Sequence, residues 1–169
     1  IVGIQDTGNF KIGDTLTQGE ILNFKGVPSF SPEHFRYVNN ADPLKSKQLF
    51  KGLDQLMDEG VAQLFTLDLN GRKIIGTVGA LQYEVIQYRL EHEYGAKCSY
   101  ENLPVHKACW VEPDDPKNEE FKEFKRVKQR FLAKDKQGQL VFLADSAFTI
   151  QMTQSKYPTV KLHFTSEYK

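Results

Sequence analysis

The chain has 169 residues, of which 40% are hydrophobic and 12% aromatic, so it is long enough for one domain with a substantial core or for two small ones. Lys and Arg together number 22, as do Asp and Glu, so the formal net charge is zero. This balance excludes a protein that binds nucleic acid through a uniformly positive surface. No apolar run approaches the roughly 18 residues needed to span a bilayer, and no charged and apolar leader is found, so we expect a cytoplasmic protein or a fragment of one.

Motifs for catalysis are missing from the sequence. There is no G-x-x-x-x-G-K-[ST] loop for a nucleotide phosphate and no G-x-S-x-G nucleophile elbow. The four histidines are scattered singly, and Cys98 and Cys109 are too far apart for a CxxC pair, which favours two reduced, buried thiols. We therefore expect no enzymatic activity, no metal site and no bound cofactor in this chain.

The first 27 residues are predicted to form short strands and turns. An apolar run at Ile1, Val2 and Ile4 precedes turn residues at 6–9, and Gly13-Asp14 marks a second turn. The segment from Gly26 to Pro32 has the proline spacing of a linker. We accordingly place a boundary between residues 27 and 28.

Residues 28–104 are predicted to form a ferredoxin-like unit. The predicted elements are a strand over 30–38, a helix that Asp42 caps, Pro43 begins and Gly60 ends, strands over 61–69 and 73–78, a helix over 81–94 that Gly95 closes, and a strand over 97–103. Asn70-Gly71 between the two central strands is a strong hairpin signal. The order strand, helix, strand, strand, helix, strand is that of the split βαβ fold, an α+β arrangement with two helices on one face of an antiparallel sheet.

The predicted core of this unit is rich in aromatic and aliphatic residues. Leu49, Leu53 and Leu56 recur at helical spacing in the first helix. The second helix is expected to have a broad apolar face formed by Leu81, Tyr83, Val85, Ile86, Tyr88 and Leu90. The large aromatics assigned to the core are Phe30, Phe35, Phe50, Phe65, Tyr83, Tyr88 and Trp110.

Residues 105–169 are predicted to form a second, smaller α/β unit. It begins with the strand-like segment HKACWVEP, continues with a helix from about Asn118 to Phe131, and then has a short apolar strand over 140–144. Residues 146–156 are ambiguous, because the alternation of Phe148, Ile150 and Met152 suits a strand whereas Ser146 suits a helix cap. We prefer a helix there, followed by a last strand over 160–164.

The candidate contact residues are basic. Lys122, Lys125, Arg126 and Arg130 lie on the first helix of the second unit, where they offer contacts to nucleic-acid phosphates, although an ordinary solvated helix face with its acids toward the N-terminus also explains them. Arg72 and Lys73 follow the Asn70-Gly71 turn and are either a contact for RNA or protein or a solubilising hairpin tip.

Three segments of the sequence resemble one family. Residues 6–16, which end in Gly-Asp-Thr-Leu, the segment GVPSFSP at 26–32, and residues 76–90 are similar to the C-terminal region of the release factor three family of bacterial translational GTPases. The resemblance runs along all 169 residues. It implies that residues 1–27 are the tail of the β-barrel domain that follows the G domain in such proteins.

The resemblance also implies a function in translation termination. A parent protein of this family is a GTPase that uses GTP or GDP and Mg²⁺ in its G domain and promotes the recycling of class I release factors from the ribosome after peptide release. For this chain it implies contacts with RNA and protein of the small ribosomal subunit and with the G domain of the same parent. An indirect effect on class I release factors is expected, and no contact with DNA or a membrane.

Two alternatives from other classes of protein remain open. A free-standing ferredoxin-like sensor would hold a small molecule at the sheet edge or between its helices. An independent RNA-binding module would stack bases on the open face of the sheet, but the zero net charge and the absence of the K/R-G-F/Y-G/A-F-V-x-F/Y pattern disfavour it.

Overall fold

The computed structural model describes residues 31–166, so the predicted barrel tail and Phe30 lie outside the described part of the chain. The described residues have an α+β fold with four α-helices and one antiparallel sheet of eight strands. The helices are α1 (Ser46–Asp58), α2 (Gln82–Tyr94), α3 (Glu119–Lys128) and α4 (Ala147–Lys156). The strands are β1 (His34–Asn40), β2 (Gln63–Leu67), β3 (Lys73–Thr77), β4 (Cys98–Asn102), β5 (Lys107–Pro113), β6 (Leu132–Lys134), β7 (Leu140–Ala144) and β8 (Val160–His163).

The strand order confirms the predicted ferredoxin-like unit. Across the sheet the order is β4-β1-β3-β2-β6-β7-β5-β8, so the first four strands follow the order 4-1-3-2. Together with α1 and α2 they form one split βαβ unit, which we call the first unit. The chain reverses between β2 and β3 at Gly71, whose φ of 71° is readily available to glycine.

The second unit, formed by β5–β8 with α3 and α4, repeats the same topology. Read from its outer edge, its strands follow the order β8-β5-β7-β6, again 4-1-3-2. The sequence predicted only a smaller α/β unit here, because β6 has just three residues and no local pattern indicates it. That strand completes the repeat and pairs with β2 to join the two units into one sheet.

The two units also share the register of their strands. Tyr37 on β1 pairs with Ile74 on β3, and Trp110 on β5 pairs with Val141 on β7 at the equivalent place. The edge strands agree in the same way, because Glu101 on β4 pairs with Tyr37 and His163 on β8 pairs with Trp110. The repeat is therefore a structural duplication with a pseudo-twofold relation across the β2–β6 pair.

Hydrophobic residues form three cores in these layers. One lies between α1, α2 and the first four strands and contains Leu53, Ile75 and Leu90. A second lies between α3, α4 and the last four strands and contains Phe124 and Phe142. Each core covers the helix side of one unit, so the helices are the outermost layers.

The third core lies between the two units, on the side of the sheet away from the helices. Its members are Phe35, Phe65, Leu67, Ile74, Ala108, Trp110, Ala133, Val141 and Leu143. In a flat sheet β2 and β5 would be roughly 14 Å apart, or three strand spacings, yet the rings of Phe65 and Trp110 have centroids only 6.2 Å apart. The sheet therefore curls so that its helix-free halves pack on each other.

Side-chain caps begin two of the helical segments as the sequence indicated. The Asp42 carboxylate accepts a hydrogen bond from the Leu44 backbone N–H, and a single turn of 3₁₀ helix at Pro43–Lys45 leads into α1. The Ser46 hydroxyl donates to the Pro43 carbonyl and stabilises this entry. Before α4, the Ser146 hydroxyl accepts from the Thr149 N–H at 3.1 Å, which confirms the helix preferred for residues 146–156.

Two aromatic assignments to the core were wrong. Phe50 is 48% exposed and Tyr88 is 62% exposed. Phe50 neighbours the buried Leu49 in sequence, but one residue is a 100° rotation around a helix, so it lies beside the buried stripe. The α2 helix buries only Tyr83, Ile86 and Leu90, so half of the broad apolar face predicted for it faces solvent.

Candidate functional site

The basic surface predicted on the second unit lies on α3 and on the 3₁₀ turn at Gln129–Phe131 that follows it, which contains Arg130. Phe121 and Phe124 anchor this helix in the core, and Asn118 caps its start by accepting from the Glu120 N–H at 3.0 Å. Acidic residues occupy the first turn and basic residues the last turn, as the helix dipole favours. The four basic residues predicted as contacts all have exposed side chains: Lys122, Lys125, Arg126 and Arg130.

The four cations differ in how strongly the protein holds them. Lys122 forms an ion pair with Glu119 at 2.5 Å, and the Lys125 ammonium lies 4.7 Å from the centroid of the Phe121 ring. Arg126 and Arg130 form no salt bridge within residues 31–166. Their guanidinium groups are therefore the cations of this surface most available to an anionic partner.

Neighbouring polar contacts fix α3 against the rest of the second unit. Lys156 at the end of α4 pairs with Glu123 at 3.0 Å, and this ammonium holds the pKa of Glu123 below its usual range. The Glu120 carboxylate accepts from the Thr159 N–H at 2.9 Å, next to β8. Glu120 and Glu123 thus hold the helix in position, and its last turn remains basic.

The hairpin residues Arg72 and Lys73 are already used inside the protein. The Arg72 guanidinium lies 3.6 Å from the centroid of the Tyr37 ring and donates to Glu101 at 2.6 Å. This hydrogen bond, together with the charge of Arg72, holds the pKa of Glu101 below the usual range. The Lys73 ammonium donates to the Thr66 hydroxyl at 2.8 Å. Both residues stabilise the hairpin, which leaves them less available to a partner than the cations of α3.

The structure does not bring the hairpin and the basic helix together into one site. Arg72 stacks on the Tyr37 side chain on the helix-free side of the first unit, while α3 covers the helix side of the second. The six predicted contact residues therefore belong to two separate surfaces, and they remain predicted contacts.

A cleft between the two units is a feature that the sequence analysis missed. It has a volume of about 510 Å³ and lies between the end of α1, the start of β2 and the β6–β7 hairpin. At its base, the Trp110 indole N–H donates to Asp135 at 2.8 Å. At its rim, the Lys136 ammonium contacts Asp54 at 2.9 Å and Asp58 at 2.7 Å. The residues that line the cleft are far apart in the sequence, so no local sequence pattern predicts it.

Neither a metal-binding cluster nor a membrane-spanning helix is found in residues 31–166. No group of three or more His, Cys, Asp or Glu side chains in this range is arranged to hold a metal ion. None of its helices is long and apolar enough to cross a bilayer.

Comparison with known families identifies the chain. The family model described as class II release factor RF3, C-terminal domain, matches residues 24–154, which include the first unit, α3 and most of α4. This match places the chain among the domains of translation factors. More particularly, the chain belongs to the family of RF3 C-terminal domains, as the resemblance in its sequence implied.

Proposed function

We propose that this chain is the ribosome-binding domain of a translation termination GTPase, and that through it the parent protein promotes the recycling of class I release factors from the ribosome. The family match supports a role in a translation factor. The single observation that carries the ribosomal contact is the exposed, basic end of α3 together with the 3₁₀ turn that follows it, with Arg126 and Arg130 outside any salt bridge in the described part of the chain.

The physical basis of this contact is electrostatic. Ribosomal RNA presents phosphates at high density, and each Lys or Arg that neutralises a phosphate releases a counterion. Phe121 and Phe124 hold α3 rigidly on the sheet, so its cations are presented from a fixed surface at a small entropic cost. Binding through this surface would be sensitive to salt and largely independent of RNA sequence.

The curled sheet supports a second part of the proposal, which is the transmission of movement. The third core and the β2–β6 pair connect the two units, so a displacement of one unit is passed to the other as a rigid-body motion. In the parent, a G domain with GTP or GDP and Mg²⁺ would supply that displacement, and the complex would act in the cytoplasm.

Co-sedimentation with purified small ribosomal subunits across a salt series tests the contact. The test variant carries Lys122→Glu, Arg126→Glu and Arg130→Glu. The matched control carries Lys45→Glu, Lys47→Glu and Lys51→Glu, which makes the same change in charge at exposed residues of the first unit. We expect the α3 variant to bind at least about 10-fold more weakly and to show a shallower dependence on salt, while the control stays close to the unchanged chain.

Two results would count against the proposal. Equal weakening by both variants would show a general charge effect without a surface on α3. Failure of the unchanged chain to bind subunits at low salt, together with a rise in melting temperature on adding a small molecule, would favour the sensor alternative and point to the 510 Å³ cleft.

A further inference from the structure

The outer face of α2 carries an apolar stripe that no other residue among 31–166 covers. Leu81, Val85 and Tyr88 lie on one face at helical spacing and are 73%, 50% and 62% exposed. The His92 ring extends the stripe by stacking on Tyr88 with ring centroids 3.9 Å apart. From Leu81 to His92 the stripe is roughly 16 Å long, or three helical turns.

Acidic side chains border this stripe on both sides. Glu84 and Glu91 lie along one side, and Glu93 lies along the other, where Glu59 approaches from the end of α1. Arg89 lies on that second side, and its guanidinium is neutralised by ion pairs with Glu59 at 2.5 Å and Glu93 at 2.7 Å. On the first side, Lys97 pairs with Glu91 at 3.1 Å. Four carboxylates thus stand against two cations, so the border is negative overall, and Glu84 forms no salt bridge within residues 31–166.

The duplication of the fold provides an internal comparison for the stripe. On α4, Phe148 and Met152 take the places of Leu81 and Val85, and they are 69% and 53% exposed. The position equivalent to Glu84 is the uncharged Gln151 on α4. Both second helices thus expose apolar residues outward, but the acidic border belongs to α2 alone.

We propose that the outer stripe of α2 is a docking surface for a positively charged amphipathic α-helix of a partner protein. Three turns of exposed apolar side chains match the apolar face of such a helix, as in helix-in-groove recognition. The acidic borders attract Lys or Arg residues that flank the apolar face of the partner, and they repel the phosphates of RNA. This surface lies on the first unit and is distinct from the basic surface of α3, so the proposal does not depend on ribosome binding.

The test is a titration of the full chain, labelled with ¹⁵N, with a designed helical peptide of about 18 residues, a length at which helices become stable. The peptide has Leu at helical spacing bordered by Lys, and a second peptide has Glu in place of every Lys. We expect the Lys peptide to shift the backbone amide signals of residues 81–92. The Glu peptide is expected to bind at least about 10-fold more weakly, a difference of about 1.4 kcal/mol.

Paired variants distinguish binding at the α2 stripe from nonspecific hydrophobic binding. Val85→Gln with Tyr88→Gln removes apolar surface from α2, and Phe148→Gln with Met152→Gln makes the same kind of change at α4. All four side chains are at least half exposed, so both variants should fold, as circular dichroism melting will verify. We expect the α2 variant to lose about 10-fold in affinity and the α4 variant to lose less than about 2-fold.

Three results would overturn the proposal. One is the absence of saturating shifts at millimolar Lys peptide. Another is equal binding of the Lys and Glu peptides, which would deny a role to the acidic border. The third is a different binding specificity: either the Lys peptide shifts the signals of α4 in place of α2, or a single-stranded RNA oligonucleotide causes the same shifts at residues 81–92.

Discussion

At the level of single residues, burial changes the chemistry of the two thiols. Cys98 and Cys109 are both free and buried. Removal from water disfavours the thiolate, so burial raises the pKa of the Cys98 thiol and raises the pKa of Cys109 to about 12. The thiol of Cys109 in particular is packed between a sheet and two helices, where a charged form has no solvation.

This raised pKa predicts a loss of stability in alkali. Above pH 9 the unfolded chain releases the Cys109 proton while the folded chain retains it, so unfolding becomes more favourable as pH rises toward about 12. The free energy of unfolding should fall by at most about 1.4 kcal/mol per pH unit from this residue. Urea unfolding followed by circular dichroism between pH 8 and pH 10.5, with reductant present, measures the slope.

The variant Cys109→Ala isolates the contribution of this thiol. Its small cavity lowers stability equally at every pH, whereas the loss of the titrating group makes the slope shallower. Burial also raises the pKa of Cys98 and of Tyr100, so a residual slope of the same sign should remain. An unchanged slope in the variant would show that Cys109 does not control the alkaline loss.

Residue identity alone predicted some of these environments and not others. Trp110 was correctly assigned to the core, because a single large aromatic in a strand-like segment has few other places to lie. The assignments of Phe50 and Tyr88 to the core were wrong, because hydrophobicity does not distinguish a side chain that packs inside the protein from one that is exposed on its surface.

At the level of elements, α4 depends on its cap more than on its sequence periodicity. Apolar residues lie on both sides of the helix, since Ile150 is buried while Phe148 and Met152 are exposed. The alternation of these three residues fits a strand equally well. The Ser146 hydroxyl, which accepts from the Thr149 N–H and also contacts the Thr149 hydroxyl at 2.9 Å, fixes the start of the helix.

The variant Ser146→Ala should therefore destabilise the protein by about 1 kcal/mol, the usual effect of losing an N-cap acceptor. Urea unfolding followed by circular dichroism measures this difference. Ser146→Asp keeps an acceptor at the cap and adds a favourable charge at the N-terminus of the helix, so it should lose less. Ser155→Ala, at an exposed site of the same helix, should change stability little. Equal effects at positions 146 and 155 would refute the importance of the cap.

The elements that the sequence predicted well have strong local signals. Asn70-Gly71, Gly95 and the cap at Asp42 each mark a boundary through their own backbone chemistry. The strand β6 has no such signal, because it has only three residues; its hairpin with β7 is local, but its pairing with β2 comes from a distant part of the chain. Its existence is decided by tertiary pairing, which no local pattern encodes.

At the level of the whole molecule, the two units preserve geometry without preserving residues. Ile74 and Val141 are equivalent and both face the third core, while Phe65 and Ala133 are equivalent but differ greatly in size. A core needs total volume and polarity rather than identity, so a large residue in one unit can compensate for a small one in the other. The duplication is consequently invisible in the sequence and plain in the strand register.

The shared core predicts that the two units unfold together. Phe65 and Ile74 of the first unit pack in the same core as Trp110 and Val141 of the second, so unfolding either unit alone would expose the apolar face of the other. Trp110, the single tryptophan, reports on the second unit by fluorescence. In a Cys109→Ala background, labelling of Cys98 reports on the first.

We expect the two probes to give the same urea midpoint. Lys136→Met removes the ion pairs that link the β6–β7 hairpin to α1, and it should lower both midpoints while keeping them coincident, because the core between the units remains. Separate midpoints would instead support the division predicted between residues 104 and 105 as a boundary between independently stable domains. In that case the molecule could not transmit movement as a rigid body, and the mechanical part of the proposed function would fail while contact through α3 could still hold.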